Sequence, residues 1–482
     1  MKNIVLLTGS SLITVAVGLA TAKLFAFLIG PTGFGQLALV QGVVGLVALI
    51  AELGLGNVVI RDGARLLAER SDNENRNFKK FYREVATLAL AMAAVCGLSM
   101  VVLRNGVSSI FLGAGSADGQ IVWCALALSF AISANLRMAA LNAHQAMAAI
   151  AAINVLSGVL SATVSIGLVW AHGERAIAPA TALGALVRWT VTVGFSWSTI
   201  GFGFALPRWE AARRALSKGL PIALSSLVGV GIQYLLPSLL IPSLGKLKLG
   251  FVQAAMSITA GVLGAIAVAL GQDYLPRISS LRTKPDLHRA IDEQMKVALI
   301  FSLPVILVVK ALAPFVIPIL LSESFLPAVP ALTWLLAAEV IRFASLSLAY
   351  AVMAQLSGRS FLLAQVVPAA ASILFLTTIP NRLGVEGVGM AMICSNAVAF
   401  GVLVFIAQRS LSYSLRGPQW CLLICGLLFT IGPSLLPGVW AHLASAGVAI
   451  TATIWSGNHI LRSRFWQRLV VARSPEIPSA DA

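Results

Sequence analysis

Ionisable side chains inside long apolar runs are the residues of this chain whose types could support chemistry. Arg188 lies deep in one such run, and Glu339 and Arg342 lie three residues apart in another. A charge at the centre of a bilayer costs roughly 2.5–3.5 kcal/mol, so one that is kept there has a function or a structural partner. The planar guanidinium of arginine offers paired donors, which makes such an arginine a candidate ligand for an anion.

Arg188 lies on a helix face of small and polar residues, which are Thr181, Gly184, Ala185 and Thr192. These positions share one face at helical spacing. Such a stripe favours the wall of a cavity over contact with lipid. A structural ion pair or a hydrogen bond between helices would also explain an arginine at this position.

The other intramembrane charges allow two interpretations each. Glu339 and Arg342 share one helix face and could neutralise each other; if Glu339 has no partner, it is the best candidate for a protonation-coupled switch. Lys23 lies near the end of the first run and is either an anchor at the membrane interface or a cation of the cavity. Lys310 could be buried or could extend to the interface.

Further polar residues mark the faces of other runs, and those singled out here are Asn135, Gln233 and Gln253. Asp273 closes the eighth run and is a second candidate for coupling. Capping and helix packing explain most of these residues singly. Together they would line a wet, cationic cleft.

The composition requires a membrane protein. Of the 482 residues 58% are hydrophobic and 11% charged, whereas soluble domains average about 25% charged. Because a spanning helix needs about 20 apolar residues, we predict an all-α polytopic protein of about fourteen helices. The predicted spans are 4–29, 36–60, 85–103, 120–141, 145–171, 176–200, 218–241, 250–271, 297–321, 329–355, 360–379, 385–408, 420–436 and 438–460.

The distribution of basic residues predicts the topology. With the N-terminus inside, 25 of the 34 lysines and arginines fall on the inner side and five on the outer side. This positive-inside pattern predicts that both termini are cytoplasmic. The net charge of +16 is thereby explained without a nucleic-acid partner. The segment from Arg61 to Arg70 has the spacing of an interfacial helix on anionic headgroups, although a solvated connector is an equal alternative.

An internal repeat divides the chain. A shift of 215 positions lays Gly30 on Gly245 and Gly35 on Gly250, and a shift of 211 lays Gly173 on Gly384. Such repeats build many transporters, with the substrate held between the halves. We expect six-helix lobes over 1–207 and 208–417, a terminal helix pair over 418–461 and a cytoplasmic tail over 462–482.

Motifs of enzymes and metal sites are missing from the sequence. There is no P-loop, DxD, HExxH or GxSxG, and the five cysteines and five histidines show no ligand spacing. We expect no catalytic residue, cofactor or metal, so an ion gradient, the membrane potential or the substrate gradient would drive any transport.

The chain resembles the Wzx-type O-antigen and polysaccharide flippases of the multidrug/oligosaccharidyl-lipid/polysaccharide exporter superfamily. The resemblance rests on the fourteen-helix pattern, the outside turn Gly-Pro-Thr-Gly-Phe-Gly at 30–35, and the segments 249–254, 273–277 and 381–387. It covers the whole chain.

This resemblance implies two lobes around a cavity that opens alternately to each side of a bacterial inner membrane. The implied cargo is an undecaprenyl diphosphate-linked oligosaccharide for O-antigen, exopolysaccharide or capsule synthesis. Arg188 and Arg342, with Lys23 as a third candidate, would hold the diphosphate, and uncharged polar groups would accept the sugar. Membrane lipids and a polysaccharide polymerase or export machinery are the implied partners.

Three alternatives remain at this stage. A lipid II flippase would use the same architecture and a cationic cavity. A MATE-type drug exporter would need unpaired carboxylates, and the buried carboxylates are few, namely Glu52, Glu339 and Asp273. An O-antigen polymerase or ligase is a remote alternative, because those enzymes carry a large periplasmic loop and none is predicted here.

Overall fold

The structure is a computed structural model that describes residues 2–68, 74–113, 119–201, 203, 205, 209–281, 283–356, 358–435, 445, 447–454 and 456. Within these ranges it does not describe the side chains of 2–12, 74, 272, 273, 275, 276, 280, 358, 359, 361, 434 and 435. The predicted tail over 462–482 lies outside the described residues.

Helices make up all the regular structure of the described residues, as the composition predicts. They are α1 (Lys2–Glu52), α2 (Leu55–Ala68), α3 (Glu74–Val102), α4 (Arg104–Val107), α5 (Gly119–Ala143), α6 (Met147–His172), α7 (Ile177–Ile200), α8 (Trp209–Gly229), α9 (Gly231–Ser280), α10 (Lys284–Ala311), α11 (Ala313–Leu320), α12 (Val329–Gln355), α13 (Gly358–Thr378), α14 (Pro380–Ile406) and α15 (Gly417–Ile431). Short 3₁₀ or π turns extend or join several of them.

The described helices account for thirteen of the fourteen predicted spans. Eight stretches are long and apolar enough to cross a membrane, and Gly417–Ile431 and Leu362–Thr378 are shorter apolar helices. Three of the eight stretches each contain parts of two predicted spans, for example Ile13–Glu52. The predicted span 438–460 lies mostly outside the described residues.

Glycines break the helices at the places that the repeat predicts. Gly30 interrupts α1 with φ 60° and ψ −170°, and Gly245 interrupts α9 with φ 69° and ψ 172°. The second pair behaves alike: Gly173 has φ 63° and ψ −145°, and Gly384 has φ 61° and ψ −134°. Glycine reaches this left-handed region without a Cβ clash, so each pair places the same turn in both halves.

Three predicted spans are wrong in detail, because the apolar composition continues across a backbone break. The second span was expected to reach Ile60, but α1 ends at Glu52; Leu53 and Gly54 take positive φ before α2 begins. The seventh span breaks between Gly229 and Gly231. The ninth, 297–321, is interrupted at Leu312 between α10 and α11.

Arg137, one of the basic residues counted on the predicted inner side, is buried within α5. It donates to Ser196 Oγ at 2.9 Å and to the Gly201 carbonyl at 3.4 Å. The residue therefore joins α5 to the end of α7.

The two halves of the chain meet mainly where α1 packs against α9. At the predicted outer end, Gly35 lies against Lys246 and Gly250 lies against Pro31. At the predicted inner end, Gly54 and Gly219 are in contact, and a Cβ on Gly54 would lie 2.5 Å from the Gly219 carbonyl oxygen. The halves thus touch at both ends of the bundle. The lobe boundaries at 207 and 417 stay predictions.

Helix α15 packs on the second half, against α10 and α12. Lys310 is buried, with 5% of its surface exposed, and its ammonium donates to the Thr430 carbonyl of α15. Of the two interpretations of Lys310, burial is the one that the structure shows.

Candidate functional site

A polar cavity of about 490 Å³ lies among the helices of the first half. Helices α1, α5, α6 and α7 form its wall, and Tyr234 of α9 contributes from the second half. Its polar lining residues are Thr14, Glu52, Asn135, Asn154, Ser157, Ser161, Arg188 and Tyr234. We call this space the Arg188 cavity.

A second cavity of about 390 Å³ adjoins the first, with which it shares Thr14, Gly158 and Ser161. Its wall includes Gln253 and Ser257 of α9 as well as residues on both sides of the Gly30 break in α1. The two cavities thus lie side by side, next to the contact between the halves.

Side-chain hydrogen bonds fix α7 against its neighbours. Ser161 Oγ of α6 donates to the Gly184 carbonyl at 2.9 Å, and Ser165 Oγ donates to the Ala180 carbonyl at 3.2 Å. From the other side, Trp189 Nε1 donates to Ser133 Oγ of α5 at 2.9 Å. Because these bonds lie on both flanks of α7, they set which face of the helix lines the cavity.

Arg188 is accessible within this cavity and has no acidic partner there. Among the described residues it forms neither an ion pair nor a side-chain hydrogen bond, although Thr192 donates to its carbonyl oxygen at 2.7 Å. The five N–H donors of the guanidinium are therefore available to a bound anion. Gly184 and Ala185 line the same space, as expected of a cavity wall.

Glu52 is the carboxylate of this cavity, and polar groups already engage it. Asn135 of α5 hydrogen-bonds its side chain, and the backbone of Gly56 in α2 does so as well. The latter bond crosses the backbone break between α1 and α2. From the sequence, Glu52 is predicted only to be a buried carboxylate. Its isolation in an apolar run is the signal that marks it as a candidate cavity residue.

The other predicted site residues lie in different places. Gln253 lines the second cavity, whereas Lys23 and Gln233 are exposed and line neither cavity. Arg342 Nη2 lies 2.5 Å from Glu339 Oε2, so these two residues neutralise each other in α12. Asp273 belongs to α9, but its side chain lies outside the described residues.

An ion pair joins the halves at the predicted inner end. Lys218 Nζ of α8 lies 2.6 Å from Asp62 Oδ2 of α2, beside the contact of Gly54 with Gly219. Burial opposes the ionisation of Asp62, but the hydrogen bonds and charges of Lys218 and Arg61 outweigh it, so the pKa of the carboxyl lies below its usual value. The pair therefore stays ionised at neutral pH.

Comparison with known proteins identifies the family. A family described as polysaccharide biosynthesis protein matches residues 24–330, which include every lining residue of the Arg188 cavity except Thr14. The chain belongs to this family. The match covers more than half of the 482 residues.

Two relatives and two solved structures extend this result. The chain is 24% identical over 411 residues to the lipid III flippase of Escherichia coli (strain K12), over 83% of this chain and 97% of that protein, and equally to the Shigella flexneri protein of the same name. The fold is similar to that of lipid II flippase MurJ in an inward closed conformation, with TM-score 0.74 and 14% identity over 97% of this chain and 100% of that one.

An inward-facing MATE transporter of the MOP superfamily has a TM-score of 0.62 and 20% identity, over 84% of this chain and 94% of that one. These likenesses show the fold. The resemblance to the flippases of this superfamily is confirmed at the level of the family.

Proposed function

We propose that this family member moves an undecaprenyl diphosphate-linked oligosaccharide from the cytoplasmic to the periplasmic leaflet of a bacterial inner membrane. The glycan would serve O-antigen, exopolysaccharide or capsule synthesis. The observation that carries the proposal is the Arg188 guanidinium, which faces a polar cavity without an acidic partner among the described residues. The name of the Escherichia coli relative, lipid III flippase, supports it.

The chemistry of the cavity suits such a cargo. A diphosphate carries charge into the membrane and needs a cation there, and the arginine fork binds phosphate oxygens through two parallel donors. Asn154, Ser157 and Ser161 offer hydrogen-bonding groups for sugar hydroxyls beside Arg188. The polyprenyl chain needs no protein site, since it can stay in the lipid while the headgroup crosses.

Alternating access requires that the two ends of the bundle open in turn. In this structure both ends are in contact, through Gly35 and Gly250 at the outer end and through Gly54 and Gly219 at the inner end. These two contacts are the points at which the halves would have to separate for each end to open. The predicted cytoplasmic placement of both termini sets which end is inner.

Two transport alternatives differ from the proposal in cargo. A MATE-type exporter of cationic drugs would need a free carboxylate, but Glu52 is hydrogen-bonded by Asn135, and the cavity also holds a cation. A lipid II flippase would use the same diphosphate chemistry, and the fold likeness to MurJ favours it as the second candidate. An enzyme that polymerises or ligates the glycan remains a remote alternative.

Depletion in the host tests the proposal. Cells that lack this protein should accumulate lipid-linked oligosaccharide, and a glycan label applied from the periplasmic side should not reach it. Complementation should succeed with the wild-type protein and with Arg104→Glu, which changes an exposed arginine away from the cavity. Arg188→Glu should fail while the protein remains in the membrane, and Arg188→Lys should restore part of the transport.

Four results would contradict the proposal. One is normal labelling of the glycan in depleted cells, and another is full complementation by Arg188→Glu. Increased sensitivity of depleted cells to cationic drugs with unchanged lipid-linked glycan would favour the drug-exporter alternative. Accumulation of lipid II in place of the other glycans would favour the second candidate.

A further inference from the structure

A separate cleft of about 350 Å³, distinct from the two cavities described above, lies at the predicted inner end of the bundle. Helices α2, α3 and α8 form it, and none of its lining residues lines the Arg188 cavity or the cavity that adjoins it. The polar residues of this cleft are Asp62, Arg65, Glu84, Arg214 and Lys218. Because the cleft is separate from the transport cavity, the proposed function does not explain it.

The residues around the cleft place it at the depth of the lipid headgroups. Trp209 begins α8 and is 79% exposed, and tryptophan is enriched at membrane–water interfaces. Ala211 and Ala212, in the same turn of α8, line the cleft. The α8 side of the cleft therefore lies beside a residue that is typical of the membrane–water interface.

One wall of the cleft is apolar along its length. Phe81, Val85 and Leu88 of α3 follow each other at helical spacing and line it, and Val58 of α2 and Ala215 of α8 complete the surface. A wall of this kind suits a hydrocarbon chain, since it buries apolar area without a polar partner.

Positive charge is in excess at the rim. Asp62 is shared by three cations, with Lys218 at 2.6 Å, Arg61 at 3.3 Å and Arg65 at 3.9 Å. One carboxylate cannot neutralise three cations. Glu84 also lines the cleft and offsets part of this excess.

Arg214 is the third cation that lines the cleft, after Arg65 and Lys218; Arg61 pairs with Asp62 from outside the lining. Its partner Glu210 lies at 3.3 Å, and both side chains are mostly exposed, 75% and 83%. An exposed pair of this kind is weak, so Arg214 can turn to another anion.

We propose that this cleft binds an acidic phospholipid of the inner leaflet. The lipid phosphate would lie among Arg65, Arg214 and Lys218, and the first part of an acyl chain would lie along Phe81, Val85 and Leu88. Clusters of basic residues at the cytoplasmic interface bind anionic lipids in this way. Because Lys218 also holds Asp62 across the two halves, the lipid phosphate and Asp62 compete for one ammonium group.

Lipid retention by the purified full chain tests the proposal. Native mass spectrometry of the delipidated protein, titrated with phosphatidylglycerol or phosphatidylcholine, should show tighter binding of phosphatidylglycerol. The double variant Arg65→Gln/Arg214→Gln should bind phosphatidylglycerol about 10- to 30-fold more weakly, since each cation near the surface contributes about a factor of five. Both side chains are mostly exposed, 73% and 75%, so the variant should fold.

The matched control removes two exposed arginines from the predicted outer side, Arg104→Gln/Arg382→Gln, and should bind phosphatidylglycerol like the wild type. Equal binding of the two lipids, or an equal loss in both double variants, would overturn the proposal. Displacement of phosphatidylglycerol by undecaprenyl diphosphate would overturn it too, by assigning the cleft to the cargo. The readout is binding, so it stands apart from the transport assays on Arg188.

Discussion

Gly35 and Gly250 occupy equivalent positions in the two halves of the chain, and each lies directly against the backbone of the other half. A Cβ on Gly35 would lie 2.1 Å from the Lys246 carbonyl oxygen, and one on Gly250 would lie 1.8 Å from the Pro31 carbonyl oxygen. Pro31 and Lys246 are themselves related by the 215-residue shift. The outer contact between the halves is therefore symmetric and depends on the absence of two side chains.

We predict that Gly250→Ala prevents this outer contact from closing. Because the added methyl group would overlap a backbone oxygen, the two turns must separate. A bias of about 1.4 kcal/mol against the closed contact already lowers its population tenfold. Spin labels at Thr32 and Lys248 should show a longer distance by electron paramagnetic resonance, and glycan transport should fall about tenfold.

Gly264→Ala is the control for this prediction, because Gly264 lies in the same helix and has open space around its Cβ position. It should leave the distance and the transport unchanged. An unchanged distance in Gly250→Ala would show that the outer contact does not need glycine.

A second prediction concerns Glu339 and Arg342, whose closest atoms lie 2.5 Å apart. Removing one partner, as in Glu339→Gln or Arg342→Gln, leaves an unpaired charge in the membrane; removing both does not. The double variant should therefore lose less free energy of unfolding than the sum of the losses in the two single variants. The difference, which is the coupling energy of the pair, should be about 1–2 kcal/mol. Thermal unfolding of the four proteins in detergent measures this coupling.

The same proteins separate the two interpretations of Arg342. If Arg342 only neutralises Glu339, transport by the double variant should be close to that of the wild type. Full loss of transport in the double variant, with its stability kept, would instead make Arg342 a ligand of the cargo.

The third prediction concerns Asp62 and Lys218, which join the halves at 2.6 Å. The folded state lowers the pKa of Asp62 below its ordinary value of 3.8. The ion pair therefore stabilises the inner contact above about pH 4, and this stabilisation is lost as the pH falls through the lowered pKa. The inner contact should thus be constant between pH 5 and 8. Spectroscopic distances between α2 and α8 would check it.

Charge variants provide the control for this contact. Asp62→Asn should open the inner end, and the exchanged pair Asp62→Lys/Lys218→Asp should close it again in part, because Arg61 and Arg65 then lie next to a lysine. A pH-dependent opening near neutrality would show that another group controls the inner end.

Much of this fold could be predicted from the sequence, because apolar run length and glycine carry direct physical meaning. The turns at Gly30 and Gly245 follow from the repeat, and the small-residue stripe places Arg188 on a cavity wall. The break after Glu52 could not be predicted, since hydropathy is continuous across Leu53 and Gly54. The bond of Glu52 to Asn135 depends on which helices become neighbours, and no local pattern determines that.

The final prediction concerns Asp292, which is 6% exposed and fastens the start of α15 to α10. Its carboxylate accepts hydrogen bonds from the Tyr413 hydroxyl at 2.6 Å and from Gln419 Nε2 at 2.8 Å, and Arg416 lies at 3.5 Å. Burial and the bond to Asp292 raise the pKa of the Tyr413 hydroxyl, so it remains a donor throughout the physiological range.

Asp292→Ala should destabilise the protein by about 3 kcal/mol, because it leaves a buried hydroxyl, a buried amide and an arginine without their acceptor. Tyr413→Phe should cost less, about 1–2 kcal/mol, since it removes one donor and leaves the others in place. Thermal unfolding in detergent would rank the two. The adjacent Glu293→Ala is the control. Glu293 is 59% exposed and pairs with Arg277 at the surface, so its removal should change the free energy of unfolding by close to zero. If Asp292→Ala unfolds at the same temperature as Glu293→Ala, the buried network does not hold α15 in place.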